Sequence, residues 1–215
     1  EHPEVVLVAT KTYECDMDDT VRLPRRDFFE YVEGKVIRFE DTQSSAPFTL
    51  PSILFRKSLI DSIGGYDNRL CYSADLDFLA RAALIGSIAC LDDYLYVFRI
   101  LPTSISGVGS RIQTRITDII RAAGERAKKG VNRDFTQEEV NELRALAEEK
   151  QGLQRTPQRI KDASYEVRLA TLFRVNGQPS KALLHSFQAI RIAPTMLFWN
   201  RKLIANVIKS LAMKS

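Results

Sequence analysis

Two aspartates, Asp75 and Asp77, follow a double-glycine turn, Gly64-Gly65-Tyr66-Asp67, and precede Arg81. The turn leads toward a helix whose first turn carries both carboxylates. Helix N-termini present unpaired N–H groups and the positive end of the peptide dipole. Such a place favours the ionised form of an acid, the form in which a carboxylate serves as a general base. The plainer role for Asp75 is charge compensation at the helix start, worth about 0.3–1 kcal/mol. Asp77 stands four residues before Arg81, the spacing of an ion pair on a helix surface.

The elements around these residues read as mixed α/β. Ile53-Leu54-Phe55 is a short apolar strand leading into a helix from Lys57 to Ile63, which Gly64 ends as a C-terminal cap. Ser73 is placed as the N-cap of a helix from Ala74 to Ile85, ended by Gly86. Leu76, Leu79, Ala83 and Leu84 give that helix an apolar face. Glu4 to Ala9 is a β-branched run with the look of a buried strand. Further strands are expected over Lys35–Phe39, Ser87–Leu91 and Tyr94–Ile100.

Charge divides the chain. Residues 1–110 hold 11 Lys+Arg against 17 Asp+Glu, a net of −6; residues 111–215 hold 20 against 10, a net of +10. The expected boundary lies beside Gly107-Val108-Gly109-Ser110, giving regions 1–108 and 109–215. The second region reads as all-helical. Ile112, Ile116, Ile119 and Ile120 form a stripe, and Thr136-Gln137-Glu138-Glu139 is a capping box with Phe135 and Val140 as its staple. Val140, Leu143, Leu146 and Ala147 supply the next buried face. Lys128 to Arg133 is a basic linker between these helices. Leu169, Ala170, Phe173, Gly177, Ala182, Ala189 and Pro194 fall at the spacing of one tetratricopeptide-like hairpin, about 164–194.

Composition sets outer limits. No apolar run approaches the roughly 20 residues that span a bilayer, and the start Glu1-His2-Pro3 suggests a piece of something longer. Cys15, Cys71 and Cys90 have no C-x-x-C spacing, and His2 and His185 are far apart, so neither a disulfide framework nor a metal cluster is indicated. Asp16-Met17-Asp18-Asp19 is a superficially metal-like acidic run that reads better as a solvated turn. The basic half carries no nucleic-acid reading motif, and attraction to anionic lipid headgroups accounts for its charge more simply.

Taken in order, these pieces resemble the acceptor half of a family 2 glycosyltransferase of the GT-A (nucleotide-diphospho-sugar transferase) fold, over about residues 3–106. Pro3–Val8 is similar to the strand after the family's metal-binding loop. Pro51-Ser52-Ile53-Leu54-Phe55-Arg56-Lys57 is similar to the start of its acceptor-side helix. Gly64-Gly65-Tyr66-Asp67 resembles its Gly-Gly-aromatic-Asp turn, and Ser73 to Arg81 its acidic helix start. Arg99 and Ser104-Ile105-Ser106 resemble the basic strand and serine-rich loop near the site. The resemblance implies the C-terminal part of a GT-A fold followed by an all-α region. It implies inverting transfer from a nucleotide-sugar to an acceptor hydroxyl, in cell-envelope or polysaccharide synthesis. Asp75 maps onto the base; Arg56, Asp77, Arg99 and Ser104 are the implied substrate contacts.

A divalent metal, Mg or Mn, is implied for the full-length protein, with its Asp-x-Asp ligands upstream and none in this chain. The implied partners are a nucleotide-sugar donor and a glycan or lipid-linked acceptor, and the charge of the basic half adds peripheral contact with an anionic membrane surface. The implied location is cytoplasmic, peripheral at the inner face of the membrane. The chain departs from the family at Ala74, where Glu is usual, and at Leu101, where His is frequent. These departures favour the alternative of a catalytically inactive binding or scaffold protein with a helical interaction tail.

Overall fold

The computed structural model describes residues 2–25, 36–37, 48–103, 110–153 and 156–213. The protein is mixed α/β, with one antiparallel sheet and, among the described residues, seven helices. The strands are β1 (Val5–Cys15), β2 (Arg22–Pro24), β3 (Val36–Ile37), β4 (Ile53–Phe55) and β5 (Ser87–Arg99). The helices are α1 (Lys57–Ile63), α2 (Ala74–Ile85), α3 (Ser110–Lys128), α4 (Gln137–Leu153), α5 (Gln158–Val175), α6 (Pro179–Ile192) and α7 (Arg201–Ala212). The sheet order is β2-β1-β5-β3, and β4 also pairs with β1. No helix among the described residues is long and apolar enough to cross a membrane.

The chain forms two compact units, and neither is a single stretch of sequence. The first comprises residues 1–12, 27–96 and 110–152; the second comprises 13–26, 97–109 and 153–215. The units therefore do not follow the expected boundary at residues 108–109, because α3 and α4 belong with the first unit. Charge patterning reports solvent surroundings and local composition; it does not report which segments share a core.

In the first unit, β4 lies antiparallel to β1 with Leu7 opposite Phe55 and Ala9 opposite Ile53. β3 pairs with β5, Val36 opposite Ala89. Leu7, Ala9, Leu59, Phe78, Leu79 and Ile88 are buried together as the core. α1 and α2 have the bounds that the glycine stops predict. Gly64 ends α1 in the left-handed region, φ +77°, with its N–H donating to the Ile60 carbonyl. Gly86 acts differently: its backbone is extended, and an added Cβ would stand 2.4 Å from a Val6 methyl and 2.9 Å from the Glu4 carbonyl. It is required by close packing, and no turn conformation enters.

Three local expectations are corrected here. Ser73 stands at the N-cap of α2 in a left-handed conformation, φ +55°, and its side chain makes no capping bond; its Oγ lies 3.3 Å from the Thr117 hydroxyl. Leu84 is exposed, while Phe78, Ala80 and Ala82 are buried beside Leu76 and Leu79. The two strands expected over Ser87–Leu91 and Tyr94–Ile100 are one continuous strand, Ser87 to Arg99, running through Asp92 and Asp93. Lys11 of β1 forms an ion pair with Asp92 and sits 5.4 Å from the Tyr94 ring centre, so partners on the adjoining strand offset the local turn preference.

The isoleucine stripe of α3 is buried, as are Leu143 and Leu146 of α4. The capping box forms in both directions: Glu139 N–H donates to Thr136 Oγ1 at 3.2 Å, and Thr136 N–H to Glu139 Oε2 at 2.8 Å. The Arg126 guanidinium binds the same Glu139 carboxylate at 2.7 Å.

In the second unit, the end of β1 pairs with β2, Glu14 opposite Leu23. The expected hairpin is present as α5 and α6, with Ala163, Ala170, Ala182 and Ala189 fully buried so that the helices approach closely. Leu169, Leu172 and Phe173 of this hairpin pack with Val21, Leu23, Phe98 and Ile100. α7 follows a 3-10 turn over Pro194–Phe198, placing Met196 and Leu203 in a core with Val167 and Ala189.

Candidate functional site

The site is built on the turn between α1 and α2. Gly64 and Gly65 both have positive φ, +77° and +74°, a conformation that side chains oppose. Arg81 reaches back from α2 to hold this turn, with Nη1 donating to the Ile63 carbonyl at 2.5 Å and Nη2 to the Gly65 carbonyl at 2.6 Å. Its Nε donates to Asp77 Oδ2 at 2.8 Å. The turn and α2 are thus fastened through one guanidinium.

Asp77 is not on a helix surface. It is 0% exposed, and its second oxygen, Oδ1, accepts from Arg133 Nη2 at 2.7 Å. The expected surface pair with Arg81 is therefore a buried Arg–Asp–Arg arrangement, and both Asp77 oxygens are occupied. Arg133 lies in the linker between α3 and α4, 56 residues along the chain. No local spacing pairs residues so far apart, and the basic character of 128–133 is the only trace of this contact in the chain's order.

Tyr66 packs its ring 5.0 Å from Phe78. Asp67 accepts from Arg69 Nη2 at 2.6 Å and from the Arg69 backbone N–H at 2.9 Å. The Arg69 hydrogen bond holds the Asp67 carboxyl below the usual aspartate range, against an opposing effect of burial. The Arg69 guanidinium lies 4.8 Å from the Phe135 ring centre.

These residues, with Asn68 and Asp134, line a cavity of about 450 Å³. Arg69, Arg81 and Arg133 face Asp67 and Asp134 there, with Asp77 bound to two of the guanidiniums. Three guanidiniums and two carboxylates stand on the wall, and the buried Asp77 behind it is the third acid.

Asp75 differs from Asp77 on every count. It is half-buried, its Oδ1 accepts from the Leu76 N–H at 2.9 Å, and among the described residues no ion pair engages it. Burial, with the Asp75 carboxylate as a second influence, pushes the Tyr66 phenol up. Asp75 does not line the cavity itself.

The other implied contacts are held elsewhere. Arg56 is exposed, its Nε donating to the Val5 carbonyl at 3.0 Å and its N–H to the Val6 carbonyl at 3.1 Å, which ties the start of α1 to β1. Arg99 belongs to the second unit, where Nη1 donates to the Met17 carbonyl at 2.8 Å and Nη2 lies 3.8 Å from Asp19. Ser104 lies outside the described residues. Asn68, Arg69, Arg133 and Asp134 are polar wall residues outside the set that the resemblance implies.

The acidic run 16–19 is a turn with Met17, Asp18 and Asp19 exposed, as expected, and only its first residue is withdrawn from solvent. Asp16 is buried and its Oδ1 accepts from the Thr20 and Val21 N–H groups at 2.7 and 3.1 Å, while Oδ2 accepts from the Thr20 hydroxyl. Its carboxylate shapes the loop. Among the described residues no three His, Cys, Asp or Glu side chains are grouped to hold a metal ion. Compared with protein-family models, curated proteins and solved structures, the chain matches none.

Proposed function

We propose that this chain provides the acceptor and general-base part of an inverting glycosyltransferase. The observation that carries the reading is the separation of environments on the first turn of α2. Asp77 is buried and saturated by Arg81 and Arg133, whereas Asp75, two residues earlier, is half-buried and outside any ion pair among the described residues. A general base must be reachable and must have an oxygen to accept a proton. Asp75 has that character and Asp77 does not.

In this reading Asp75 takes the proton of an acceptor hydroxyl as its oxygen bonds to the anomeric carbon. The bond from that carbon to the diphosphate breaks, and the nucleoside diphosphate leaves. Asp77 and Arg81 position the base by fixing the start of α2 to the Gly64-Gly65 turn. The cavity beside this turn has a wall rich in hydrogen-bond donors and acceptors, with Arg69, Arg81 and Arg133 against Asp67 and Asp134.

Ala74 and Leu101 favour a second reading, a glycosyltransferase-like binding protein without turnover. The test uses the full-length protein containing this chain and a panel of nucleotide-sugars. Asp75→Asn is expected to lower turnover by on the order of 10²–10⁴-fold with donor affinity unchanged. An unchanged rate places the base elsewhere. A parent protein that binds no nucleotide-sugar and releases no nucleoside diphosphate supports the binding-protein reading.

A further inference from the structure

The strongest unassigned feature is the outward face of the C-terminal helix. α7 buries Leu203, Asn206 and Ser210 and exposes Ile204, Ile208 and Leu211, which are 38%, 61% and 54% accessible. The helix is thus docked through a partly polar face while its aliphatic stripe points to solvent. Asn206 shows how: Arg174 Nε donates to its Oδ1 at 2.9 Å, and its Nδ2 donates to the Val167 carbonyl and the Thr171 hydroxyl. Just before the helix, Phe198 and Trp199 are 89% and 56% accessible. Arg201, Lys202 and Lys209 are exposed on the same helix.

Charge selects the occupant. Glu166 is the last acidic residue of the chain; residues 167–215 contain eight Lys+Arg and no Asp or Glu. We propose that Phe198, Trp199 and the outward face of α7 dock on an anionic lipid bilayer surface. The aliphatic stripe enters the headgroup–acyl boundary, the aromatic pair sits at its polar level, and the basic side chains meet lipid phosphates. A second copy of this face would bring like charges together with no acid to answer them. A nucleic acid would meet the cations but leave Ile204, Ile208 and Leu211 in water. A bilayer accommodates both. This inference stands apart from the glycosyltransferase reading.

Trp199 is the chain's single tryptophan, so intrinsic fluorescence reports on the proposed contact itself. The experiment mixes the 215-residue chain with phosphatidylcholine vesicles, with or without phosphatidylglycerol, and with vesicles carrying brominated acyl chains. The expected result is a blue shift and bromine quenching on phosphatidylglycerol-containing vesicles, reversed by high salt. Arg201→Gln with Lys202→Gln should weaken partitioning by on the order of tenfold. Phe198→Ser with Ile208→Ser should abolish quenching while circular dichroism stays unchanged, since both positions are exposed. No shift with either vesicle, equal shifts with both, or partitioning indifferent to both variants overturns the proposal. A shift that grows with protein concentration without vesicles, accompanied by the mass of a dimer, overturns it in favour of self-association.

Discussion

Replacing Asp77 with Asn keeps the side-chain shape and removes the charge that Arg81 and Arg133 share. The carboxylate is 0% exposed, and the two guanidinium side chains are 16% and 18% accessible. Breaking a buried pair by removing one partner costs about 3–5 kcal/mol, because a charge is left without compensation. Asn retains one acceptor oxygen and both arginines reach some water, so the lower end, about 3 kcal/mol, is expected. With a urea dependence of about 2 kcal/mol per molar, the midpoint should fall by roughly 1.5 M. The control is Glu142→Gln, which breaks the Arg115–Glu142 pair, 54% and 36% accessible. Exposed pairs contribute under about 1 kcal/mol, so its midpoint should move by less than about 0.5 M. The assay is urea unfolding followed by far-ultraviolet circular dichroism. Equal shifts for the two variants would refute the argument that the buried triad stabilises the first unit.

Two further outcomes follow from glycines and from acid titration. Gly86→Ala should destabilise by about 1–3 kcal/mol, because its Cβ meets the Glu4 carbonyl and a β-branched Val6 side chain. Gly64→Ala, with open space around it, should cost only the left-handed strain of about 1–2 kcal/mol; thermal melts of the two variants compare crowding with strain. Asp67 has a carboxyl pKa depressed in the folded state, so its stabilisation is full above about pH 4 and is lost as pH falls through the depressed value. The stability difference between the parent and Asp67→Asn should therefore be flat from neutral pH to about pH 5 and shrink below about pH 4; a difference constant throughout acid unfolding refutes it.

Local rules reached much of the framework because certain boundaries are set by neighbouring residues alone. Gly64 ends α1, Thr136 and Glu139 cap α4 reciprocally, and the spacing from Ile112 to Ile120 fixes the buried side of α3. Where distant residues decide, the local reading failed. Asp92 sits inside β5 because Lys11 waits on the adjoining strand, and Asp77 is buried because Arg133 arrives from another element. Ser73 has the composition of an N-cap, but its hydroxyl is directed to Thr117. The candidate site was legible in part: the Asp77–Arg81 pair follows from local spacing, whereas Arg133 reaches the same acid from 56 residues away.

Arg81 also limits how this protein can vary. Three of its nitrogens serve three acceptors spread over a helix, a turn and a buried acid. A planar fork can do this with a fixed geometry, whereas an ammonium has its donors on a single atom. Lysine at position 81 would keep the charge and surrender at least one of the carbonyls at Ile63 and Gly65. Those carbonyls bracket a backbone that only glycine adopts comfortably, so the double glycine and the arginine form one structural unit. Drift at either end exposes the other, and the two ends are expected to change together or not at all.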